Sequence, residues 1–272
     1  MREEQRSDAK RIACLGDGTG IVDNPLTPRV LVLAGLDPSG GAGIAADVEA
    51  LLAVGARALP CATALTVQGV GGAYGAEAVP VPLVRAQVEG LLAGRGLTVK
   101  AVKTGMLATA AIAGEVAELL GRGRLARAPL VVDPVLAASS GLSLFDAGGA
   151  SPAEALRPLL ARAAVVTPNW PELEALCGAA LEDDDAAVAA ARGLGARAVL
   201  VKGGHRSGAP VDLLVTKREV LRLRGRRRPG TARGTGCRLA SALAGLLAKG
   251  ASLPDAARGA KRVVERYLDR ES

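Results

Sequence analysis

From residue 29 onward the chain alternates short aliphatic runs with stretches whose apolar positions recur at helical spacing. The first run, Arg29-Val-Leu-Val-Leu-Ala-Gly35, is rich in β-branched and aliphatic residues and ends in glycine, which predicts a buried parallel strand. Similar runs lie at 58–67, 101–104, 129–132, 164–167 and 198–202. Helix-period stretches separate them, at 43–54, 81–92, 109–119, 152–163, 183–194 and 237–249. This alternation predicts an α/β fold with a mostly parallel central sheet covered by helices on both faces. Residues 212–220 break the alternation and predict an antiparallel hairpin near a sheet edge. Residues 1–28 are polar and aperiodic and read as a poorly ordered N-terminal extension, with one domain over 29–272.

Composition narrows the picture. Of 272 residues, 49% are hydrophobic, enough for a sizeable core. Only 1% are aromatic, so that core must be built from Ala, Val and Leu. The same scarcity argues against a nucleic-acid site, which stacks bases on aromatic rings. The formal charge of +7 suits an enzyme that handles anionic phosphates. The four cysteines form no C-x-x-C pair and there is one histidine, so no zinc or redox motif is visible. No apolar run has the length of a membrane span, and no membrane partner is expected. The expected setting is the cytoplasm, with free thiols.

Chemistry-bearing residues cluster where strands are predicted to end, the place where open α/β sheets bind ligands. Ala34-Gly-Leu-Asp-Pro-Ser-Gly-Gly-Ala-Gly43 is a glycine-rich strand-to-helix turn that suits an anion, without the G-K-[ST] of a Walker A loop. Lys103-Thr-Gly-Met-Leu107 and Val131-Val-Asp-Pro-Val135 follow two further strands. Asn169 and Glu172, three apart, read either as oxygen ligands of a hydrated Mg²⁺ or as a helix capping box. Lys202 at a strand end can pair with phosphates. Gly234-Thr-Gly-Cys237 opens an Ala-rich helix whose first amides form an anion hole for a transferring phosphoryl group. A thiol at that position is expected to have a lowered pKa and to accept a proton as a thiolate, the alternative being an inert buried cysteine.

Together these segments resemble the hydroxymethylpyrimidine/phosphomethylpyrimidine kinases of thiamine biosynthesis, within the ribokinase-like superfamily. The resemblance runs from about residue 30 to 265 and rests on AGLDPSGGAG, TALTVQGVGG, KTGML, DPV, TPNWPE, VKGGH and GTGC in that order. It implies a ribokinase-like three-layer α/β/α sandwich. It also implies ATP and Mg²⁺ dependence, and phosphorylation of 4-amino-5-hydroxymethyl-2-methylpyrimidine and then of its monophosphate. Gly35, Asp47, Gln68, Met106 and Val135 would line the pyrimidine pocket. Asp133, Lys202 and Arg233 would meet the ATP phosphates, and Asn169 and Glu172 the Mg²⁺, partly through water. Gly234, Thr235, Gly236 and Cys237 would form the catalytic turn. A homodimer is implied as well. Three positions depart from the family's pattern: Ala45 where Gln is usual, Ser139 where Lys is frequent, and Arg233 where His is usual. Arg233 is itself a good phosphate partner, whereas the loss of a Lys at 139 weakens the case for the second phosphorylation. The competing readings are a kinase of another ring alcohol such as pyridoxine, and a non-catalytic pyrimidine-binding sensor.

Overall fold

The computed structural model describes residues 27–271, apart from 70–71, 95, 139, 206–208 and 229–231. The expectations for Ser139 and for residues 1–26 therefore lie outside the described residues. Nine strands form the main sheet. They are β1 (Arg29–Leu36), β2 (Arg57–Gly69), β3 (Gly72–Ala78), β4 (Val99–Thr104), β6 (Leu130–Val132), β8 (Val165–Val166), β9 (Ala198–Val201), β10 (Val211–Thr216) and β11 (Val220–Arg224). Their spatial order is β11-β10-β9-β8-β6-β4-β1-β2-β3. The six strands from β9 to β2 run parallel. The hairpin β10–β11 and strand β3 add antiparallel edges at opposite ends. The two-residue strands β5 (Ala108–Thr109) and β7 (Phe145–Asp146) pair separately.

Side chains alternate along β1 as a pleated strand requires. Val30, Val32 and Ala34 enter one core, and Leu31 and Leu33 enter the other. The first core is closed by α1 (Gly43–Ala53), α7 (Thr235–Ala248) and α8 (Leu253–Glu271). The second is closed by α2 (Val81–Leu92), α3 (Ala110–Leu120), α4 (Pro152–Arg162), α5 (Trp170–Cys177) and α6 (Asp184–Gly193). With almost no aromatic residues, close helix approach does the filling. A β-carbon on Gly245 of α7 would meet Val54 at 2.6 Å and Leu51 at 3.0 Å, so α7 lies tightly on the end of α1. The result is three layers, with the carboxyl ends of β1, β4, β6, β8 and β9 opening toward the same side as the start of α7.

Candidate functional site

Two glycine-rich backbones meet at the start of α7. Its N-cap is Gly234, in the left-handed region at φ 68°, and no side chain caps the helix. Arg238 N is the first amide to reach back, to Gly234 O at 3.0 Å. The amides of Thr235, Gly236 and Cys237 therefore lack intrahelical acceptors, as the anion-hole reading requires. A β-carbon on Gly234 would lie 2.1 Å from Gly41 O, so the turn is pressed against the loop after β1. That loop is tied by Asp37, whose carboxylate accepts from Ser39 N at 2.9 Å, Ser39 Oγ at 2.7 Å and Ala42 N at 3.0 Å. Buried Arg238 joins the two backbones. It donates to Gly41 O at 2.8 Å and Arg233 O at 3.3 Å, pairs with Glu49 at 2.6 Å, and stacks on Tyr267 of α8 at 3.8 Å. Tyr267 donates its hydroxyl to Arg233 O at 3.1 Å. Neither Arg238 nor Tyr267 was marked by the sequence reading as part of the site. The Arg238 spacing after Gly234, one helical turn, was the available signal.

Lys202 stands at the other end of the turn. Its Nζ lies 3.0 Å from where a β-carbon on Gly236 would be, so glycine there makes room for the ammonium. It pairs with Asp133 at 2.9 Å and Glu172 at 3.4 Å. Burial opposes the ammonium charge, but the two carboxylates outweigh it and raise the Lys202 pKa above the ordinary value. Burial raises the Glu172 carboxyl, with Lys202 acting against that shift. Asn169 and Glu172 also form a complete capping box. Asn169 Oδ1 accepts from Glu172 N at 2.8 Å, and Glu172 Oε2 accepts from Asn169 N at 2.7 Å. The two readings of this pair are thus compatible, because the cap is what aims Glu172 at Lys202. Among the described residues no cluster of three or more His, Cys, Asp or Glu side chains could cage a metal ion.

Two sequence expectations are corrected behind the turn. Asp47 does not line an open pocket. It is fully buried, and both its oxygens accept from Lys103 Nζ, at 2.8 and 2.9 Å, while Ser241 Oγ adds a bond of 2.7 Å. A buried carboxylate requires a cation and donors, and the neighbouring strand and helix supply them. Nor is Cys237 a ready thiolate. Burial pushes its thiol up to about 11; Lys103 pulls in the opposite direction without prevailing, and Asp47 and Asp133 add to the rise. Local helix position predicted a low pKa, and the surrounding desolvation reverses it.

Of the other pocket candidates, Gln68 is tied to the turn through Arg233. Met106 Sδ would lie 2.9 Å from a β-carbon on Gly35, so a glycine is needed for this packing. Thr63 Oγ1 donates to Met106 O at 2.5 Å. Val135 follows Asp133, whose amide donates to Thr104 O at 2.9 Å across the sheet. Gln68, at the end of β2, offers its amide oxygen to Arg233. Ala45 is half-buried on the first turn of α1 and offers no polar atom.

Residues 37–272 match the family described as phosphomethylpyrimidine kinase. A hydroxymethylpyrimidine/phosphomethylpyrimidine kinase of Streptomyces coelicolor is 44% identical over 246 residues, covering 88% of each chain. The crystal structure of a phosphomethylpyrimidine kinase from Clostridium difficile is similar at TM-score 0.74 and 30% identity, over 89% of this chain and 100% of that one. A pyridoxal kinase from Staphylococcus aureus, in complex with AMP-PCP and pyridoxal, is similar at TM-score 0.75 and 28% identity, over 88% of this chain and 87% of that one.

Proposed function

The chain belongs to the phosphomethylpyrimidine kinase family, and from that premise we propose that it moves the γ-phosphoryl group of MgATP first to the hydroxymethyl oxygen of 4-amino-5-hydroxymethyl-2-methylpyrimidine and then to the resulting monophosphate, in thiamine biosynthesis. The observation that carries this reading is the uncapped turn 234–237 with Lys202 over Gly236. Phosphoryl transfer through a loose transition state needs aligned reactants and neutralised charge, and amides plus a fixed ammonium supply both. The alcohol oxygen attacks the γ-phosphorus, the bond to ADP breaks, and the hydroxyl proton must leave. Cys237, at the turn, is the nearest candidate to take it. Its ionisation in the loaded enzyme depends on Lys103, the cation that lowers its pKa.

Mg²⁺ fits this site as part of the nucleotide substrate rather than as a resident ion. Asn169 Oδ1 and Glu172 Oε2 are occupied by the capping box, and Asp133 Oδ1 accepts from Lys202 and from Thr167 Oγ1 at 3.1 Å. The remaining oxygens of Asp133 and Glu172 suit water-mediated contacts, which Mg²⁺ favours because it sheds its waters reluctantly. Gly35, Met106, Gln68 and Val135 would hold the ring. We place the reaction in the cytoplasm and the domain at 29–272. We read the assembly as a homodimer, a reading supported by exposed Leu65, Val67 and Tyr74 on the β2–β3 edge.

The likeness to pyridoxal kinases keeps one rival acceptor in view, since the same catalytic turn would serve any ring alcohol. ADP release with MgATP and each candidate alcohol decides between them. The pyrimidine alcohol is expected to give the highest kcat/KM. A preference for pyridoxal or pyridoxine would replace the reading, and no turnover with any acceptor would end it.

A further inference from the structure

The turn 234–237 has a cation at each end. Lys202, at Gly236, is held by two carboxylates. Arg233, at Gly234, is held by one. Its guanidinium donates to Asp37 Oδ2 at 3.2 Å, Ser39 Oγ at 3.3 Å, Gly69 O at 3.0 Å and the side-chain oxygen of Gln68. It therefore spans the loop after β1 and the end of β2. The Arg233 backbone does not share in this reach. Its carbonyl is pinned by Tyr267 and Arg238. The side chain is one-third exposed.

We propose that Arg233 receives the phosphate of the monophosphate substrate and so biases the site toward the second phosphorylation. This rests on the functional reading above. That phosphate must lie between the ring pocket and the amides of 234–237, because it accepts the next phosphoryl group there. Arg233 is the guanidinium contiguous with both. Three of its four acceptors, Ser39 Oγ, Gly69 O and Gln68 Oε1, are neutral. A phosphate dianion forms stronger, charge-assisted and forked bonds and displaces them, while Asp37 keeps its contact. Displacement also releases the Gln68 amide for the ring. An uncharged alcohol offers no such exchange and must compete with Arg233 for Gln68.

The test measures kcat/KM for the alcohol and for the monophosphate in the wild type, Arg233→Gln and Arg233→Lys, with MgATP saturating. Arg233→Gln keeps hydrogen-bond donors without charge, and Arg233→Lys keeps charge without the fork. The ratio of monophosphate to alcohol kcat/KM is expected to fall at least tenfold in Arg233→Gln, chiefly through KM, and less in Arg233→Lys. Rising ionic strength should raise the wild-type KM for the monophosphate more than that for the alcohol. Should Arg233→Gln lose catalysis, the thermal shift produced by the monophosphate without nucleotide replaces kinetics, and it should shrink relative to that produced by the alcohol. An equal fall for both substrates would make Arg233 a strap between two loops and overturn the inference, as would a wild type that phosphorylates the alcohol but not the monophosphate. The first result leaves the two-step kinase reading standing; the second removes its second step and leaves phosphorylation of the alcohol. Only inactivity toward both substrates removes that reading and the inference together.

Discussion

Cys237 shows how a single residue's chemistry is decided by its surroundings. At the first turn of a helix a thiol gains from the amides and the dipole, but here burial and two nearby carboxylates raise it to about 11. The thiolate fraction then grows about tenfold per pH unit below that value, by mass action. If the thiolate accepts the alcohol proton, log kcat/KM should climb with pH from 7 to 10 at a slope near one, and the climb should vanish in Cys237→Ala. A flat profile in the wild type, or unchanged turnover in Cys237→Ala, would assign catalysis to the amides and Lys202 alone. The free thiol Cys61, pushed to about 12 by burial, is core and gives no competing signal on the exposed surface.

At the scale of elements, the start of α5 does two tasks with one pair of residues. Asn169 and Glu172 satisfy amides that the helix leaves open, and the same geometry holds Glu172 within 3.4 Å of Lys202. Asn169→Ala should therefore lower stability by about 1 kcal/mol, read by chemical denaturation, and also raise KM for MgATP. Asn169→Ser, which still caps, should recover most of both. Recovery of stability without recovery of KM would show that Asn169 touches the nucleotide's hydrated metal itself. The pair was visible in the sequence as three-residue spacing after a strand, but spacing could not say that cap and site were the same structure. The edge strand β3 was not visible. Gly72-Ala-Tyr-Gly-Ala-Glu-Ala78 has no alternating apolar pattern, and pairing with β2 creates it.

Across the whole molecule, the Lys103–Asp47 pair joins the layers. Lys103 lies on β4, Asp47 on α1, and Ser241 on α7, and both charged groups are fully shielded from solvent. Removing one member leaves the other buried without its counter-charge, a loss of about 3–5 kcal/mol in such pairs. Asp47→Asn and Lys103→Met should each reduce the melting temperature sharply, and the double variant should be more stable than the sum of the two losses predicts. Additive losses would mean that the two groups are held by separate contacts. Lys103→Met should also move the rise in kcat/KM to higher pH, since the ammonium is what lowers the Cys237 pKa. The sequence placed Lys103 at a strand end and Asp47 in a helix, 56 positions apart, with nothing local to pair them.

The sequence by itself determined the layered α/β architecture, because strand and helix periods are local and each leaves an apolar face that must be covered. It also determined the family and the glycine turn, because backbone conformations that need glycine are written at single positions such as Gly234. Tertiary structure alone decided which charges meet. It paired Asp47 with Lys103, set Lys202 and Arg233 at opposite ends of one turn, and pushed the Cys237 thiol up. The physical reason is that burial and Coulomb energies depend on distances between segments remote in the chain, which no local pattern encodes.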